Sequence, residues 1–82
     1  MTKRTTIYAD FNNADSRGRV RLNSQGTLDD LRDRGIHLEE GLALLLSDGE
    51  LTAQGRIEQS AEEGIWVAVI RWEELKSDRS RR

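Results

Sequence analysis

With 82 residues the chain has room for one small domain, and its 19 Leu, Ile, Val and Phe residues allow only a modest core. The absence of Cys excludes disulfides, thiolate nucleophiles and cysteine-ligated zinc, and favours a reducing compartment. The formal net charge of −2 is unevenly spread: Thr5–His37 balances five Arg with five Asp, whereas Leu38–Leu75 sets two Arg against nine carboxylates, so this acidic body repels phosphate.

The two ends are basic, through Lys3 and Arg4 and through Lys76, Arg79, Arg81 and Arg82. Met1–Thr6 leads into no apolar stretch of the signal-peptide kind. The longest apolar runs, Leu42–Leu46 and Ile65–Ile70, are too short to span a bilayer. A cytoplasmic chain of bacterial type, without membrane contact, is the expectation.

Thr5–Phe11 alternates, with Ile7, Ala9 and Phe11 on one face, and reads as a strand. Asn12–Gly18 is dense in turn formers. Arg19–Asn23 alternates again, with Val20 and Leu22 inward and both arginines outward. The spacing predicts that these two strands pair across the loop as a hairpin. Ser24-Gln25-Gly26 breaks the second strand. Thr27 then reads as a helix N-cap, Asp29 and Asp30 as first-turn acids, and Arg32 and Arg34 as last-turn bases. Gly35 supplies the left-handed stop. A helix over Leu28–Arg34 follows, with Leu28 and Leu31 facing the sheet.

Leu42–Ser47 is the third strand, apolar on both faces. Asp48-Gly49 predicts a type I′ hairpin turn, which requires positive φ at both central residues. Leu51–Glu58 returns with Leu51, Ala53 and Ile57 inward, and Gly55 on that face marks a bulge or bend. Beyond the polar loop Gln59–Gly64, Ile65–Trp72 is the strongest strand. Arg71 shares a face with Ile65, Val67 and Val69, which makes that face outer; Trp66, Ala68, Ile70 and Trp72 are then the core face. Glu73–Leu75 reads as one helical turn. Residues 1–4 read as a flexible start, 5–75 as one β-rich domain and 76–82 as a disordered basic tail.

The fold class is mainly β (α+β): a small five-stranded SH3-like barrel, or a strongly bent antiparallel sheet, with one short helix between the second and third strands. An OB-like barrel and a flat α+β sheet are the alternatives. Leu42–Trp72, with its Asp-Gly hairpin, Gly55 bend and Trp-rich last strand, resembles the meander of SH3-like barrels. The resemblance is architectural and covers under half of the chain.

Catalysis finds little support. His37 stands alone in a loop, and no Ser lies in a nucleophile-elbow setting. Asp10–Asp15 fails the calcium-loop pattern, because Ala14, Asp15 and Arg21 occupy the fifth, sixth and twelfth positions. An Asx-rich loop bonding its own backbone is the simpler reading. The carboxylates lie in polar runs beside turns, where solvation keeps them ordinary. No enzyme, cofactor or metal site is expected.

Two surfaces remain as binding candidates. Tyr8, Arg19 and Arg21, with the basic tail, could grip a phosphate backbone and stack a base; two Arg on an exposed strand are also ordinary surface. Val67 and Val69, joined by Leu45, form an apolar outer face that either the helix or a partner covers. Helix cover is the simpler account. The functional expectation is a small non-enzymatic protein-interaction module or accessory subunit, with a protein partner or a second copy. Nucleic-acid binding is the alternative and the less favoured partner class.

Overall fold

The computed structural model describes residues 5–77. In chain order these form β1 (Thr6–Tyr8), β2 (Val20–Arg21), α1 (Gln25–Arg34), β3 (Ala43–Ser47), β4 (Leu51–Ser60), β5 (Ile65–Ile70), a 3₁₀ turn (Trp72–Glu74) and β6 (Lys76–Ser77). The strands order β1-β3-β4-β5-β2, with β6 also on β4, in a sheet that curls into a half-barrel. The fold is a small β-rich α+β one, as the alternation and the single capped helix imply.

The antiparallel meander β3–β4–β5 is the predicted one, in continuous register through Leu44, Gly55 and Ile70. Gly55 therefore marks close packing and no bulge. A Cβ there would lie 3.0 Å from Leu46 Cδ1 and 3.2 Å from Ala68 Cβ. The turn is shifted by one residue from the predicted one. Asp48 faces Leu51, and positive φ falls on Gly49 but on no non-glycine residue, so a type I′ turn over Asp48-Gly49 is not formed. Asp48 Oδ1 instead accepts the N–H groups of Glu50 and Leu51, each at 2.8 Å.

The expected β1–β2 hairpin does not form. β1 pairs parallel to β3, and β2 pairs antiparallel to β5 at the opposite edge, so the sheet is mixed and not all-antiparallel. Ala9 N–H still donates to Ser47 O at 3.0 Å before the chain leaves the sheet, and Ala9 and Phe11 are buried in the core. The local partner of β2 is Asn13–Asp15: Ala14 bridges Val20, and the Arg21 N–H donates to the Asn13 carbonyl at 2.8 Å. Two short strands with the same inward pattern carry no mark of their partners, and the non-local ladders place both Ile7 and Val20 in one core. Ile7, Val20, Leu44, Leu46, Ile57, Ala68 and Ile70 form the centre of that core.

α1 begins three residues earlier than predicted, with Ser24 and not Thr27 at the N-cap and Gly35 as the left-handed C-cap. Gly26 is inside the helix because the backbone there lies on the Tyr8 ring; a Cβ would come within 2.8 Å of Tyr8 Cδ2. The longer helix moves Asp29 and Asp30 out of the first turn. Leu31 packs on the core, but Leu28 is exposed, contrary to expectation. Trp72 is likewise exposed, although its ring meets Phe11 edge-on at 6.3 Å. Lys76 and Ser77 form β6 on β4, so the chain stays ordered two residues into the predicted tail. The expected flexible start at residues 1–4 and the remainder of the expected disordered tail, residues 78–82, lie outside the described residues.

The helix closes an edge. Tyr8 N–H donates to Asp30 Oδ2 at 2.8 Å, and Tyr8 C=O accepts from Thr27 Oγ1 at 2.8 Å. Thr27 is fully buried, and its hydroxyl hydrogen is committed to Tyr8, so the 2.8 Å contact with Ser24 Oγ has Ser24 donating. Two side chains thus take the place of a further strand beside β1. Replacing the hydroxyl by a methyl in Thr27→Val leaves the Tyr8 carbonyl without its donor. Urea denaturation is expected to show a loss of about 1–3 kcal/mol with an unchanged slope.

Candidate functional site

The loop before β2 winds around one carboxylate. Asp15 Oδ1 accepts the backbone N–H groups of Arg17 (2.9 Å) and Arg19 (2.8 Å), and Oδ2 accepts Arg19 Nε at 2.9 Å. Its side chain is 3% exposed and that of Arg19 is 12% exposed. Burial pushes the Asp15 pKa up, but the N–H groups of Arg19 and Arg17 and the Arg19 guanidinium outweigh it and hold the carboxyl below its usual range. Asp10 likewise turns a carboxylate oxygen onto its own loop, at Asn12 N–H. These side chains serve the backbone, as an Asx-rich loop does.

Arg19, immediately before β2, and Arg21, on it, are both engaged in ion pairs and are not free to grip a ligand. Arg19 also reaches Glu58 and Glu62, each at 3.4 Å. Arg21 makes a two-pronged pair with Glu63, Nε to Oε1 at 2.8 Å and the second nitrogen to Oε2 at 2.9 Å, and donates to Ala14 O and Asn13 Oδ1. The Arg21 hydrogen bonds hold the Glu63 carboxyl below its usual range. Tyr8 lies at the other edge of the sheet against Gly26, not beside these arginines. The structure therefore does not assemble the expected Tyr8–Arg19–Arg21 face.

The same network corrects the apolar patch. β5 lies between β2 and β4, so every contact from Arg19 to Glu58 crosses its outer face. Val67 pairs with Arg21 on one side and Glu58 on the other, and it is fully buried. The cover predicted for the helix comes from arginine stems and their carboxylates, because α1 is engaged at β1. Val69 and Leu45 are half-buried.

Next to this cover the outer face stays open. A shallow groove of about 430 Å³ runs across β3, β4 and β5 to the 3₁₀ turn, lined by Ala43, Gln54, Arg56, Val69, Arg71 and Glu74 among others. Ala43, Arg56 and Val69 form one cross-strand row, and Leu45 pairs with Gln54 in the next. Arg56 and Arg71 are 61% and 74% exposed, against 12% for Arg19. Of the groove residues, sequence reasoning named Val69 and used Arg71 only to set polarity. The signal that could have exposed the groove is that Arg56 and Arg71 are the two cations of the acidic Leu38–Leu75 segment. His37 is exposed in the α1–β3 loop. Among the described residues, no group of three His, Cys, Asp or Glu is placed to hold a metal, and no helix is long and apolar enough to cross a membrane.

The network dictates a pH dependence. Asp15 and Glu63 have folded pKa values below their ordinary 3.8 and 4.5, so their contribution is complete above those values and fades as pH falls through the lower folded ones. The urea midpoint is expected to drop from about pH 5 towards about pH 2, and less steeply in Asp15→Asn. That variant, which disturbs a charge-assisted bond, is expected to lose about 2 kcal/mol at neutral pH. Comparison of the chain with family models, curated proteins and solved structures finds no match.

Proposed function

We propose that this chain is a small non-enzymatic protein-interaction module or accessory subunit that docks through the outer face of its sheet. The observation that carries this reading is the open groove over the Ala43–Arg56–Val69 row, beside a region where Arg19 and Arg21 are tied down by several bonds each. Ala43 and Val69 on either side of Arg56, with Arg71 next along β5, offer apolar area together with charge selectivity, the combination found at protein interfaces.

The nucleic-acid reading is weaker. Its two strand arginines spend their donors on Asp15, Glu58, Glu62 and Glu63, so gripping a phosphate would first break those pairs. A photo-crosslinker in place of Ala43 is expected to yield discrete protein adducts in cells, and one on the Asp48–Leu51 turn is not. Adducts that vanish on nuclease treatment would favour nucleic acid, and equal labelling from both positions would remove the groove as the docking site.

A further inference from the structure

Resting on that reading, we infer that the groove recognises an acidic segment of a partner protein, held by Arg56 and Arg71 with Ala43 and Val69 flanking Arg56. The Leu38–Leu75 segment holds two cations among nine carboxylates, and the fold brings both cations to one groove. Val69 faces Arg56 across the ladder, and the chain stays extended at Arg71 (φ −100, ψ 105). Arg71 is thus the diagonal neighbour of Arg56, about 7–8 Å away at the backbone.

Like charges so placed repel and cost stability. Neither is well neutralised from within. Glu58 is divided between Arg56 at 3.3 Å and the buried Arg19 at 3.4 Å. The Arg71–Glu74 pair is long, at 3.6 Å, and open to solvent on both sides. A pair of that kind contributes little and exchanges readily for a better acceptor. In an extended peptide, side chains two residues apart on one face are separated by about 6.5–7 Å. Two carboxylates at that spacing reach both guanidiniums, each able to accept a two-pronged bond. An aliphatic neighbour fits the Val69 and Ala43 surface. A protein segment fits better than a nucleic acid, because no aromatic side chain lines the groove for bases to stack on.

Amide NMR titration of the intact chain tests this with three probes: a short capped peptide alternating Glu and Val, its Lys/Val counterpart, and a single-stranded DNA oligonucleotide. The Glu/Val peptide is expected to shift the amides of Ala43, Arg56, Val69 and Arg71, with an affinity that falls with salt. Arg56→Gln and Arg71→Gln are each expected to weaken it about tenfold while the melting temperature does not fall. Equal shifts from the Lys/Val peptide would overturn the acidic preference and leave an interaction groove standing. Groove shifts from the oligonucleotide without the peptide would overturn both readings. Silence of these amides towards all three probes would also overturn the inference.

Discussion

The buried Asp15 carboxylate is the contact on which the rest of this fold's outer surface depends. It fixes the loop backbone through two N–H groups and orients Arg19 through a third bond. Arg19 then spans β5 to reach Glu58, and Arg21 clamps Glu63 at the β4–β5 turn. A two-residue edge strand has too few ladder bonds to hold itself. Here β2 is secured by its loop on one side and by charge pairs over β5 on the other, and Trp72 Nε1 adds a bond to Gly18 O at 2.8 Å. The cost of desolvating Arg19 and Asp15 is offset because each buried donor and acceptor has a partner; among the described residues no buried side-chain nitrogen or oxygen lacks one.

The opposite edge uses a smaller version of the same device. Thr27 and Asp30 satisfy the outward groups of Tyr8, so α1 guards β1 and does not lie over the sheet's outer face. That placement explains the open groove. With the helix spent on one edge and the arginine network on the other, the Ala43–Arg56–Val69 row has no cover within the described residues.

Much of this was legible in the sequence. Period-two alternation located the strands, Gly35 stopped the helix, and the Asp-Gly pair located the β3–β4 turn to within one residue. The in-register Arg71 oriented β5. What the pattern left open was pairing. Ile7, Ala9 and Phe11 carry the inward signal whether they pair with Val20 or run beside Leu45, and the parallel partner lies some forty residues on. Gly26 read as a breaker because its reason, the Tyr8 ring against the helix backbone, is tertiary. The site misled for the same cause. Arginines on an alternating strand look exposed unless one knows that Glu58, Glu62 and Glu63, about forty residues away, come to meet them.

The central claim is a division of labour among arginines: Arg19 and Arg21 hold the fold, while Arg56 and Arg71 face a ligand. Solvent exchange of the arginine Nε–H protons, followed by nitrogen-edited NMR, reads this directly. The account predicts slow exchange and dispersed signals for Arg19 and Arg21, with fast exchange and averaged signals for Arg56 and Arg71. Equally fast exchange at all four would contradict it, returning Arg19 and Arg21 to the surface as available cations and removing the cover over Val67.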